Sequence, residues 1–135
     1  MSSRSGLLGV SGISRDMRQV LEQERAGDAR AALAVNMFCY RVRKQIGAYM
    51  AVLGDTGAVV FGGGIGENVP TVRERICTGM AWCGLALDRE RNSTVTGSEA
   101  RISNDASKID VYVVPVDESI IIAHDTMHCL RQQGL

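Results

Sequence analysis

The chain has 135 residues, 45% of them hydrophobic, with 15 Lys and Arg against 15 Asp and Glu, so its formal net charge is zero with both His neutral. That is the length of one domain with enough apolar material for a core, which excludes a disordered tail and a complete two-domain enzyme with an interdomain active site. The even charge excludes the basic footprint of a nucleic-acid binder, and no apolar run reaches the roughly 18 residues of a membrane span or forms a secretory leader.

The remaining composition indicates a cytoplasmic protein. Four Cys at 39, 77, 83 and 129 form no C-x-x-C pair and read as reduced, buried thiols. Aromatic residues make up only 4% of the chain, so Ala, Val, Leu, Ile and Met must build the core.

Taken in order, residues 6–13 (GLLGVSGI) are a Gly-spaced apolar opening that ends at Ser14, a good N-cap for a helix through Met17, Val20 and Leu21. Gly27 stops that helix and Asp28 caps the next. Its apolar positions Ala31, Val35, Phe38, Val42, Tyr49 and Leu53 recur at helical spacing, and Gly54 ends it. Arg41, Arg43 and Lys44 read as its solvated face. Residues 58–61 (AVVF) predict a short strand buried on both faces. The glycine run Gly62-Gly63-Gly64-Ile65-Gly66-Glu67-Asn68 follows, and Asn68 or Val69 caps a helix with Pro70 in its first turn. Residues 85–108 are polar and predict no definite element. Residues 109–116 (IDVYVVPV) predict a second strand, from which Asp117-Glu118 lead into a further helix. Alternating helices and strands point to an α/β fold with helices packed on a mainly parallel sheet.

Three groups of residues could carry chemistry. A glycine run between strand and helix lets a ligand approach the backbone, and a helix start offers unpaired N–H groups to a phosphate; a plain tight turn has the same pattern. No Walker lysine follows, and Val69 stands where a dinucleotide fingerprint needs its third Gly. Asp117-Glu118 sits at a strand's carboxyl end, where carboxylates either hold Mg²⁺ or cap a helix. His124 and His128 have metal-ligand spacing, but neither the H-E-x-x-H glutamate nor a third ligand accompanies them.

Several segments together resemble one family. Residues 6–18, from Gly6-Leu7-Leu8-Gly9 through Ser11-Gly12, Ser14, Asp16 and Arg18, are similar to the G-L-L-G-x-S-G-x-S-x-D-x-R stretch of the acetate kinases. Tyr40-Arg41 through Ile46-Gly47-Ala48-Tyr49 resembles their Y-R-(I/V)-x-K-x-I-G-A-Y helix, and Val60-Phe61 with Gly63 to Asn68 resembles V-F-T-(G/A)-G-I-G-E-N. The resemblance covers nearly the whole chain and corresponds to the family's carboxyl-terminal part.

The resemblance implies an incomplete ribonuclease-H-like domain of the actin, sugar-kinase and Hsp70 type, residues 1–135 forming its nucleotide-binding part. It implies Mg²⁺-ATP or ADP, reversible phosphorylation of acetate to acetyl phosphate, and a homodimer. Nucleotide roles carry over to Asp16, Met17, Arg18, Gly64, Ile65, Gly66, Glu67 and Asn68. The N-E-E motif carries a metal role to Glu118.

Three departures stand out. Gly62 replaces the usual Thr, Asp117 replaces Asn, and Ser119 replaces the second Glu. The amino-terminal domain that supplies the acetate pocket and the catalytic Arg and His residues is expected to be missing. No catalytic residue is therefore assigned, and acetate binding is expected only with that domain. The alternatives are a non-catalytic dimerisation module, or a kinase acting on propionate or butyrate.

Overall fold

A computed structural model describes residues 6–117 and 127–130. The elements are α1 (Gly6–Ser11), α2 (Met17–Arg25), α3 (Ala29–Leu53), β1 (Ala58–Phe61), α4 (Gly63–Asn68), α5 (Pro70–Thr78), a 3₁₀ turn (Ala81–Cys83), α6 (Arg89–Thr94), β2 (Ala100–Arg101) and β3 (Asp110–Val113). The apolar opening folds as α1.

Side-chain caps set most helix starts. Asp16, not Ser14, caps α2, because Ser14 Oγ accepts the Asp16 N–H at 3.0 Å and so holds Asp16 just outside the helix. Asp28 caps α3 as expected, its Oδ1 accepting from Ala31 N at 2.7 Å. The 25 residues of α3 span roughly 37 Å at 1.5 Å per residue. Its first half is buried through Ala31, Ala34, Val35 and Cys39, against α1, α2 and α5. Ile46 and Met50 still pack against the core further along, whereas Tyr49 and Leu53 are exposed although they continue the apolar period. Arg43 leaves the expected solvated face. Its Nε donates to the Ile76 carbonyl at 2.9 Å and another of its N–H groups to the Arg75 carbonyl, closing the last turn of α5.

The described strands form one sheet in the order β1-β3-β2. β1 pairs parallel with β3 in the register Ala58↔Asp110 to Phe61↔Val113, whereas β2 pairs antiparallel with β3. The sheet is thus mixed rather than mainly parallel. β3 is central, with Val111 and Val113 fully buried. β1 lies at an edge of the described sheet, and only Phe61 is buried, with Val60 59% exposed. Its apolar run was expected to be covered on both faces; helices cover only one.

The polar stretch 85–108 contains more order than its composition predicts. Asp88 caps α6 through the Arg91 N–H at 2.9 Å, and Leu87 bridges Ser103. Leu85 and Ile102 enter the core there with Val72, Ile76 and Met80. All four cysteines are free. Cys39 and Cys77 are buried, and burial pushes the Cys77 thiol up to about 12, while Cys129 is exposed. No helix of the described residues is long and apolar enough to cross a membrane.

Candidate functional site

A groove of about 710 Å³ opens between the start of α2 and the glycine turn after β1. That volume suits a small organic ligand. Asp16, Met17 and Arg18 line one side, and Gly64, Ile65, Gly66 and Asn68 the other, so residues nearly fifty positions apart share one wall-to-wall space. Phe38 and Val42 of α3, with Val69, Val72 and Ile76 at α5, form an apolar floor. Helical periodicity marks Phe38 and Val42 as apolar but leaves open that they form the floor of a groove.

The first wall is held locally. Ser11 Oγ accepts the Ile13 N–H at 3.1 Å, and Gly12 turns the chain with φ of +73°. Asp16 Oδ1 accepts the Arg18 N–H at 2.9 Å, and its Oδ2 pairs with Arg18 Nη2 at 2.7 Å. The Arg18 hydrogen bond holds the Asp16 carboxyl below the usual carboxylate range. Met17 is buried, so it contributes body to the wall rather than an exposed side chain.

The second wall is held by distant partners. The glycine run is itself the short helix α4, entered through Gly63 with φ of +70°, a conformation that favours glycine. At Gly66 a Cβ would stand 3.3 Å from the Phe61 carbonyl carbon, so a side chain there would need β1 or the turn to give by a few tenths of an ångström. Glu67 points away from the groove. Its Oε1 accepts the Gly63 N–H at 2.7 Å and the Val116 N–H at 2.8 Å. The first N–H of α4 is therefore already bonded inside the chain. Asn68 Nδ2 donates back to the Gly64 carbonyl at 3.1 Å.

Arg73, which follows the glycine run in the stretch that resembles the family signature, fixes the far end of this turn. It is fully buried, and its guanidinium donates to the Gly66 and Glu67 carbonyls at 2.8 and 2.9 Å. On its other edge it reaches Asn92 Oδ1, the Asn92 carbonyl and the Val95 carbonyl at 2.9, 2.9 and 2.7 Å. Desolvation lowers its pKa from the ordinary value, yet an arginine stays charged in a protein. Five neutral oxygens solvate a cation that water does not reach. Periodicity places Arg73 on a buried stripe, but its partners in α6 could not be read from a segment with no predicted element.

Among the described residues no three His, Cys, Asp or Glu cluster to hold a metal. The metal candidate Glu118 and the potential zinc ligand His124 lie outside the described residues, whereas Asp117 ends the described chain beyond β3.

Comparison with known proteins decides the family. The model of the Acetokinase family matches residues 1–124. The chain belongs to the acetokinase family. It is 44% identical to the acetate kinase of Chloroherpeton thalassium over 98% of this chain and 32% of that enzyme. The crystal structure of Porphyromonas gingivalis acetate kinase superposes with a TM-score of 0.86 at 46% identity, covering 94% of this chain and 32% of that one. A propionate kinase from Francisella tularensis matches with a TM-score of 0.80 at 38% identity, over 89% of this chain and 30% of that one. This acetokinase-family chain thus spans about a third of the length of the relatives it matches, in their carboxyl-terminal part.

Proposed function

We propose that the chain is the nucleotide-holding part of an acetate kinase, in which the groove between the Asp16 turn and the glycine turn binds ATP or ADP with Mg²⁺. The observation that carries this reading is the groove itself. It brings together residues of the two sequence blocks that resemble the family's nucleotide motifs, Asp16 to Arg18 on one side and Gly64, Ile65, Gly66 and Asn68 on the other. Its chemistry suits a nucleotide. The apolar floor of Phe38, Val42 and Ile76 accepts a flat base, while Arg18 and the Asn68 amide offer donors at the rim. By the family resemblance Mg²⁺ would be held by the hard carboxylate of Glu118, and when bound it would supply charge neutralisation at the phosphates.

In this reading residues 1–135 are the carboxyl-terminal part of a ribonuclease-H-like kinase domain, and phosphorylation of acetate requires the rest of the enzyme. Short homologues of acetate, propionate or butyrate, are alternative acceptors. The test is calorimetry with millimolar Mg²⁺-ADP, together with amide NMR. We expect measurable heat and shifts at Gly64 and Asn68; no heat and no shift would sink the proposal. Acetyl phosphate should form only after the missing part of the enzyme is added.

A second reading is favoured by the exposed side of α3 opposite its buried stripe, where Leu33, Met37 and Tyr40 are exposed, and by its exposed end at Val52 and Leu53. Apolar surface of that extent fits a module that pairs with another protein surface. Sedimentation over a wide concentration range checks it, and a strictly monomeric chain rules out self-association.

A further inference from the structure

Glu67 differs from its neighbours in the glycine turn because its carboxylate is spent on the chain itself. One oxygen, Oε1, takes the Gly63 N–H at 2.7 Å and the Val116 N–H at 2.8 Å, the latter 49 residues further on. The first bond closes α4 upon itself, and the second fastens it to the chain leaving β3. Two other observations put that exit against the turn. The Val114 N–H donates to the Phe61 carbonyl at 2.9 Å, extending the parallel pairing by one residue. A Cβ on Gly62 would stand 2.8 Å from Val116 Cγ2 and 3.3 Å from the Val114 carbonyl oxygen. Residues 114–116 therefore lie as a strap across the entry to the turn. A larger residue than glycine at 62 would push against it, which gives the Gly62 departure a local partner.

We propose that Glu67 is a positioning residue, latching the β3 exit to the glycine turn and thereby setting the shape of the groove wall without touching the ligand. The proposal rests on the nucleotide reading of the groove and assigns Glu67 a different task within it. Two backbone donors depend on one oxygen, so its loss leaves both to find other acceptors. A displaced strap would also free Gly62 and Gly63, which begin the wall. Val116 does not line the groove, yet its amide should respond when the groove is filled, because the latch joins the two.

The test uses the full chain with Mg²⁺-ADP as probe, read by amide hydrogen exchange, NMR and calorimetry. Glu67→Gln keeps an oxygen acceptor, Glu67→Ala removes it, and Val116→Pro removes one donor while leaving Glu67 intact. In Glu67→Ala, exchange at Gly63 and Val116 should quicken about fivefold or more, and the ADP dissociation constant should rise about tenfold. Glu67→Gln should stay close to wild type in both respects. Val116→Pro should weaken ADP much as Glu67→Ala does, and the double variant should be no weaker than either alone. The ADP-induced shift of the Val116 amide should vanish in Glu67→Ala.

The proposal is overturned if Glu67→Gln loses ADP as fully as Glu67→Ala while both amides stay protected, since the charge itself would then meet the ligand. It is equally overturned if a folded Val116→Pro binds ADP like wild type. An unfolded Val116→Pro leaves the decision to the Gln and Ala pair. Failure of the wild-type chain to bind ADP overturns the nucleotide reading instead, and the latch then stands or falls on exchange at Gly63 and Val116 alone.

Discussion

The turn that starts α2 and the glycine turn that follows β1 face the same groove but are held by different kinds of contact. Asp16 is fixed by residues two positions away, Ser14 and Arg18, in partly exposed surroundings. The glycine turn is fixed by Arg73 and by Glu67, whose bonds reach Asn92, Val95 and Val116. The polar bonds of the first wall thus stay within two residues, although Met17 beside them is buried in the core. The polar bonds of the second wall cross long stretches of sequence.

The strongest way to break this contrast is to remove Arg73. Arg73→Ala should strand several buried oxygens and cost at least about 3 kcal/mol in denaturant unfolding, since each unsatisfied buried group costs about 1–3 kcal/mol. Arg73→Lys should recover only part of that, because one ammonium group lacks the planar fork that reaches both edges. A loss below about 0.5 kcal/mol, the size of an ordinary surface change, would show that the second wall is not tied to the core.

Gly66→Ala comes next. Its methyl group would press on the Phe61 backbone at 3.3 Å, and overpacking of this kind costs about 1–3 kcal/mol. The same variant should shift the Phe61 and Gly63 amides while leaving Arg18 in place.

The smallest effect belongs to the first wall and is sharpened by acid. The folded-state pKa of Asp16 is lowered by Arg18 from an ordinary 3.8, so its contribution is present above that value and is lost as pH falls through the depressed one. Protection of the Arg18 amide should decline below pH 3.8 in wild type and be weak at every pH in Asp16→Ala. The Gly63 amide should be indifferent to the Asp16 change. If Gly63 follows Arg18, the two walls are one cooperative unit and the contrast fails.

Much of this architecture can be read along the chain because it rests on neighbours. Asp28 caps α3 through a residue three positions away, Gly54 ends it with φ of +74°, and β1 runs straight into the glycine turn. Each depends on backbone geometry within one turn of the residue concerned. The family motifs also lie in such segments, which is why both sides of the groove were identified as blocks. The cap of α2 shows the limit of local reading, since Ser14 and Asp16 are both good caps and hydrogen bonding between them decides for Asp16.

Tertiary structure decided everything that needs two distant segments. Whether AVVF is covered on one face or two depends on which helices reach it, and no property of those four residues records that. Tyr49 and Leu53 keep the apolar period of α3 yet are exposed, while Ile46 and Met50 beside them pack against the core. Arg73 looks like any helix arginine until α6 and the end of α4 close around it, and the Glu67 carboxylate meets its second backbone donor only when Val116 arrives from β3. Sequence alone determined which segments turn, cap and alternate, because those preferences act over a few residues. The fold decided which polar groups remain available to a ligand, because hydrogen bonds formed across the chain consume the rest.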